Sequence, residues 1–386
     1  MIESVTDRAL RICLVGPAYP YRGGIAHYNT LLAKELQGKH EVFVINFKRL
    51  YPDFLFPGKT QYDESGEALT VESRRLIDSI NPFTWVRAGF EIVNRKCDVV
   101  IFQWWHPFFA PAYAKICAIV RIFSRAKIIF ICHNVVPHEQ SFIDKVLLSG
   151  AFALPHGFLV QSMEDRENLL KLRPGAKVSL HPHPIYDFFR RDNTTPEEAR
   201  KRIGAGSEPI IIFFGYIRPY KGLVYLLRAM PEIRDRVGAR LIVVGEFYED
   251  KEPYVKEVKD LGIEENVEFV DRYVPNEEVE SFFLASDLVV LPYISATQSG
   301  IVQIAMAFDK PMVVTRVGGL PDVVAEGKTG FVVPPEDSGA IAEAVIRFFE
   351  EGWAEKMKGY FQTEKERFSW KSMVSTLEDL IHNVSQ

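Results

Sequence analysis

The chain has 386 residues, 47% hydrophobic and 25% charged, with a formal net charge of −5 at pH 7. That length exceeds one ordinary core and fits two domains of roughly 150–200 residues, and the charge gives no whole-protein reason to expect nucleic acid as a partner. No apolar run approaches the ~20 residues of a membrane span, and the first ten residues lack signal-peptide character.

Short apolar strands alternate with amphipathic helices from one end of the chain to the other. Residues 11–16, 41–46, 98–103, 127–132, 157–162 and 178–182 read as parallel strands in the first half. Residues 209–215, 240–245, 267–271, 287–292, 311–315 and 330–334 repeat the pattern in the second. Near-continuous β-branched runs indicate strands covered on both faces. Helices are expected between them, among them Ile25–Gln37, Leu223–Arg236 and Asn276–Ala285, with another at 113–123. The proline-rich and polar stretch 181–200 marks a boundary, and 368–384 reads as an amphipathic helix. The predicted architecture is therefore α/β: two doubly wound, Rossmann-like parallel-sheet domains facing a central cleft, with ligands at the carboxyl ends of the strands. Residues 1–187 carry 22 Lys+Arg against 18 Asp+Glu and the remainder 24 against 33, so the first half suits an anionic acceptor or a membrane surface. The four cysteines (Cys13, Cys97, Cys117, Cys132) form no metal-type pair, so buried reduced thiols in a cytoplasmic protein are expected.

Several strand ends carry residues suited to chemistry. After the first strand, Gly23 and Gly24 open a helix and let backbone approach an anion; the spacing is not the dinucleotide fingerprint. The stretch QWWHPFF (103–109) sets His106 at a strand edge, and ICHNVVPHE (131–139) does the same for His133 and Asn134, with His138 and Glu139 beyond. A histidine so placed can donate to a hydroxyl or phosphate, or act as an acid or base. HPHP (181–184) lacks metal-ligand spacing and reads as a packed hinge. In the second half, Gly215 is followed by Arg218 and Lys221, two cations suited to a pyrophosphate whose charge grows as a bond to it breaks. ISATQSGIVQIAMA (294–307) places Gln298, Ser299 and Gly300 before a helix that starts near Ile301 and contains Gln303. Gly318 and Gly319 repeat that device after the next strand, so three anion-ready turns point to one sheet edge. No D-x-D pair, G-x-S-x-G or Walker sequence occurs.

Taken in order, the Gly-Gly loop, FFGYIRPYKG (213–222), SDLVVLP (286–292), VGGLPDVV (317–324), EGKTGFVVPP (326–335) and the terminal FSW (368–370) resemble the family-four retaining glycosyltransferases of GT-B fold, group 1 type. The resemblance covers both domains. It implies a nucleoside-diphosphate sugar as co-substrate, retention of anomeric configuration, no cofactor and no divalent metal. It also implies an acceptor-side domain at 1–187, a donor-binding domain at 188–367 and a helix at 368–386 crossing back. Arg218 and Lys221 would hold the pyrophosphate, with His133 near the transferred sugar. Donor contacts would come from Gly23, Gly24, Gly215, Gln298, Ser299, Gly300, Ile301, Gln303, Gly318 and Gly319, and acceptor contacts from Tyr21, His106 and Asn134. In the front-face mechanism favoured for the family the leaving phosphate oxygen takes the acceptor proton, so no protein base is required. The E-x7-E glutamates usual in the family are replaced here by Ala296 and Ile304.

The expected activity is hexosyl transfer to a cell-surface glycan or its lipid-linked precursor, with the enzyme in the cytoplasm and in peripheral contact with the membrane. The aromatic group Tyr19, Tyr21, Trp104, Trp105, Phe108 and Phe109 fits sugar stacking, membrane contact or core packing. A catalytically silent nucleotide-sugar-binding subunit is the alternative suggested by the missing glutamates. An epimerase is disfavoured because no carboxylate cluster appears.

Overall fold

The computed structural model describes residues 8–56, 58–135 and 142–386, and no side chains at 142–146. The chain forms two compact units: residues up to Asp63 with Ala68–Pro182 and Trp370–Gln386, and Glu64–Glu67 with His183–Ser369.

The first unit holds β1 (Arg11–Val15), β2 (Glu41–Arg49), β3 (Ser73–Asp78), β4 (Val99–Trp104), β5 (Lys127–Cys132), β6 (Gly157–Val160) and β7 (Val178–Leu180). They pair in the order β3-β2-β1-β4-β5-β6-β7, every pair parallel. The second holds β8 (Ile210–Phe214), β9 (Arg240–Val244), β10 (Val267–Val270), β11 (Leu288–Leu291), β12 (Met312–Thr315) and β13 (Gly330–Val333). These pair in parallel in the order β10-β9-β8-β11-β12-β13. Each sheet is doubly wound, with the strand order reversing between β1 and β4 and between β8 and β11. Loops leaving the carboxyl ends of those strands diverge and leave room for a ligand. Six strands were legible in each half, and β3 is the addition. Its sequence SRRLID exposes Arg74 and Arg75 at the sheet edge, so it lacks the apolar run of a covered strand.

The pairing of β2 with β3 is irregular around Asn46 and Phe47, and the Asn46 side chain there grips the loop after β1. Its Oδ1 accepts from Ala18 N at 3.2 Å while its Nδ2 donates to Ala18 O at 3.0 Å and Tyr19 O at 2.9 Å. The helix Trp370–Ser385 packs on the first unit, where Lys39 and His40 meet Glu378 at 2.9 and 2.8 Å and the Trp370 ring lies 5.2 Å from that of Tyr28. Of the six aromatic residues that fit sugar stacking, membrane contact or core packing, half are core. Tyr21, Trp104 and Phe109 are buried, with Trp104 against Phe130 and Phe152 and Phe109 against Phe47. The HPHP stretch is packed as expected: His181 bonds Ser372 at 3.1 Å and His183 bonds Tyr186 at 3.1 Å. All four cysteines are free and buried, and burial raises their thiol pKa values. Among the described residues no helix is long and apolar enough to cross a membrane, and no group of three or more His, Cys, Asp or Glu could hold a metal ion.

Candidate donor and acceptor sites

In the second unit, the loops after β8 and β11 meet at the switch point. Gly215 ends β8 with φ 104°, and a methyl group added to it would sit 3.0 Å from Lys221 Nζ and 3.3 Å from Ile301 Cδ1. Gly215, Lys221 and Ile301, predicted separately, therefore converge on one spot. Tyr220 O accepts from Ile294 N at 2.7 Å, joining the two loops. Lys221 Nζ lies 5.3 Å from the centroid of the Tyr293 ring, whose hydroxyl is 3.3 Å from Ser299 Oγ. The third turn is joined as closely, since Gly319 N donates to Thr297 O at 3.0 Å. Gly318 has φ 50°, and a Cβ there would lie 1.7 Å from Ala296 O. The tight spacing of these backbones places Ser299, Gly300, Gly318 and Gly319 around one sheet edge.

The cations of this site differ in environment. Lys221 is buried, and burial first, then the nearby Arg218 charge, pulls its pKa from 10.5 to about 7. Arg218 is half-buried, stacked 4.9 Å over the Tyr248 ring, which in turn lies 4.5 Å from Tyr216. An ammonium held in a dry pocket gains most when an anion arrives. Sequence reasoning passed over Glu246, a buried carboxylate directly after the glycine that ends β9 at the same edge. Its signal was a charged residue placed where the other strands are followed by turns.

Gln298 is half-exposed, while Gln303 is fully buried on the helix Gly300–Ala307. Neither Nε2 nor Oε1 of Gln303 has a hydrogen-bond partner among the described residues. An unmade bond on a buried amide costs about 1–3 kcal/mol. Gln303→Leu is accordingly expected to raise the denaturation midpoint of the free protein. The same variant should lose affinity for nucleoside diphosphate, measured by titration calorimetry, because the amide is then missing from the ligand.

In the first unit, Gly23 caps the helix Gly24–Gln37 with φ 101° and no side-chain cap. His133 follows β5 and is buried. Its Nε2 lies 2.8 Å from Gln103 Oε1, Gln103 Nε2 donates to Asn29 Oδ1 at 3.1 Å, and Asn29 Nδ2 donates to Pro17 O at 3.1 Å. A carbonyl can only accept, so the chain of bonds has one direction and His133 carries its proton on Nε2. Nitrogen-15 spectra of the ring should show that tautomer, and Gln103→Met should produce a mixture of the two. Tyr21 is inside the unit, its ring 5.6 Å from Tyr62. His106 is exposed and caps a short turn, its Nδ1 accepting from Phe108 N at 3.1 Å. Asn134 is half-buried, with no partner for its Oδ1 among the described residues. His138 and Glu139 lie outside the described residues.

Residues 208–351 match the family model for glycosyl transferases group 1, which takes in both switch-point loops of the second unit. The chain is 28% identical over 227 residues to the D-inositol 3-phosphate glycosyltransferase of Corynebacterium glutamicum, covering 57% of this chain and 52% of that protein. It is 34% identical over 185 residues to the GDP-mannose-dependent alpha-(1-6)-phosphatidylinositol monomannoside mannosyltransferase of Mycolicibacterium smegmatis, covering 45% and 47%. The chain thus spans about half the length of these curated relatives. Among solved structures, HepE of Anabaena in complex with UDP matches with a TM-score of 0.72 at 17% identity, over 97% of this chain and 100% of that one. The matched segment is similar to group 1 glycosyl transferases, and the fold is of GT-B type. The two parallel sheets of seven and six strands are those of that fold.

Proposed function

We propose that the chain is a retaining, metal-independent glycosyltransferase of family four. It moves a hexosyl group from a nucleoside-diphosphate sugar to a hydroxyl of a glycan or lipid-linked glycan, in the cytoplasm, as a step in building a cell-surface polysaccharide. The observation that carries this reading is the convergence of Lys221, Gly215 and Ile301 beside Arg218, at the switch point of a sheet inside the matched segment. The complexes of HepE with UDP and with UDP-glucose support a nucleotide-sugar donor on this fold.

In the proposed reaction the bond between the anomeric carbon and the β-phosphate oxygen breaks, and the acceptor oxygen bonds to the same carbon on the same face. The acceptor proton passes to the departing phosphate oxygen. Lys221, Arg218 and the amides after Ser299 and Gly318 take up the charge that grows on the diphosphate. His133, oriented through Gln103 and Asn29, is the group proposed near the transferred sugar, and the first unit is the proposed acceptor side. Ala296 and Ile304 are buried where the family usually has glutamates, and this favours a second reading, a silent nucleotide-sugar-binding subunit.

Incubation with a panel of nucleotide sugars, with and without lipid-linked acceptors, separates the two. Acceptor-dependent release of nucleoside diphosphate, with a product of unchanged anomeric configuration by proton NMR, is the expected result. Tight donor binding with no turnover on any acceptor would establish the silent subunit instead.

A further inference from the structure

We propose that the outer face of the helices Pro82–Asn94 and Ala110–Phe123, in the first unit, docks on an anionic lipid surface. The proposal stands on this face alone and is independent of the sugar-transfer reading.

These helices carry apolar side chains where a surface helix normally turns polar ones to water. Phe83 is 86% exposed, Ile122 71%, Phe123 57% and Phe90 40%. In Pro82–Asn94 the exposed stripe runs Phe83, Arg87, Phe90, at the four- and three-residue spacing of one helix face. In Ala110–Phe123 it runs Pro111, Lys115, Ile122, beside Arg121 and Phe123. The Phe90 and Phe123 rings lie 5.3 Å apart, so the two stripes join. Between them runs a groove of about 660 Å³, lined by Phe83, Val86, Pro111, Ala114, Lys115 and Ala118. Contiguous exposed apolar surface of this kind marks an interaction site.

Charge selects the occupant. The exposed charged residues of this face and the turn after it are Arg87, Lys115, Arg121 and Arg125, all cations. The only carboxylate in the two helices, Glu91, is already paired with Arg74 and Arg95. A second copy seated symmetrically on this face would bring like charges together. Anionic headgroups above an acyl boundary match both features, with the cations at the phosphates and Phe83, Ile122 and Phe123 below them. The tested helices lie on such a surface rather than span it, since no described helix is long and apolar enough to cross.

The test is co-sedimentation of the full chain with phosphatidylcholine vesicles, with and without phosphatidylglycerol. Binding is expected with phosphatidylglycerol at low ionic strength and should weaken as salt rises. Phe83→Ser with Ile122→Ser, and separately Arg87→Glu with Lys115→Glu, should each lower the bound fraction by about tenfold. All four positions are exposed, so unchanged circular dichroism and denaturation midpoints control for folding. A wild-type chain that stays in the supernatant with phosphatidylglycerol vesicles would overturn the proposal, as would double variants that bind as well as wild type. A dimer in sedimentation velocity that the Phe83→Ser, Ile122→Ser variant dissolves would also overturn it, by showing that a second copy covers the face.

Discussion

Lys221→Met is expected to weaken nucleoside diphosphate binding by about 10–100-fold, the loss of one charge-assisted hydrogen bond worth roughly 1.5–3 kcal/mol. It should also remove a pH dependence that the wild type shows. With its pKa drawn down to about 7, Lys221 is about half neutral at neutral pH in the free protein. A bound diphosphate favours the ammonium and raises that pKa, so binding takes up a proton. Affinity therefore falls as pH rises above 7, by at most about tenfold per unit, and gains nothing more from this group well below 7. Stability runs the other way. Because the folded pKa lies below the unfolded value, the unfolded chain binds more protons between 7 and 10.5. The cost of burying the charge is full below pH 7 and fades as pH rises toward 10.5. Titration calorimetry and denaturation across that range, on wild type and Lys221→Met, should show opposite slopes in the first and neither in the second. A pH-independent wild-type affinity would remove Lys221 from the site.

Gly318→Ala is expected to disrupt the donor loops more than any exposed substitution in the same unit. The left-handed backbone costs a side chain about 1–2 kcal/mol. The added methyl, 1.7 Å from Ala296 O, must also push the two loops apart, at roughly 1–3 kcal/mol more. The comparison is Gly238→Ala, also at positive φ but with nothing within 4 Å of its Cβ. Gly238→Ala should lose only the backbone term and keep its nucleotide affinity. Gly318→Ala should lose both terms and bind nucleoside diphosphate about tenfold more weakly or worse, because Ser299 and the Gly318–Gly319 amides no longer share one edge. Equal affinities in the two variants would mean that the loop spacing does not position the ligand.

The fold was legible because covered parallel strands leave long apolar runs, which chain order alone reveals. Residues 276–285 form the helix expected from their pattern, and 223–237 form theirs within a residue at the end. The edge strand β3 was not legible, because an edge needs no apolar face and can carry Arg74 and Arg75. Nor was the assignment of Glu64–Glu67 to the second unit, where Ser65 Oγ accepts from Asn276 N at 3.0 Å and Gly66 N donates to Glu277 at 2.9 Å. Contacts across more than two hundred residues leave no local pattern. At the site, Gly215, Arg218 and Lys221 were legible from glycine and cations at a strand end. The depressed Lys221 pKa, the Glu246 carboxylate and the Gln103–Asn29 support of His133 were not. Each depends on burial or on partners brought in from separate strands and helices.

Arg218 and Lys221 are proposed to hold the diphosphate of a sugar donor during transfer. Once the panel of nucleotide sugars has identified a donor, kcat/KM for Arg218→Ala and Lys221→Ala against wild type tests this most directly. Each variant is predicted to lose about 100-fold or more, as removal of a group that stabilises transition-state charge does. Turnover equal to wild type in both variants would mean that neither cation holds the diphosphate.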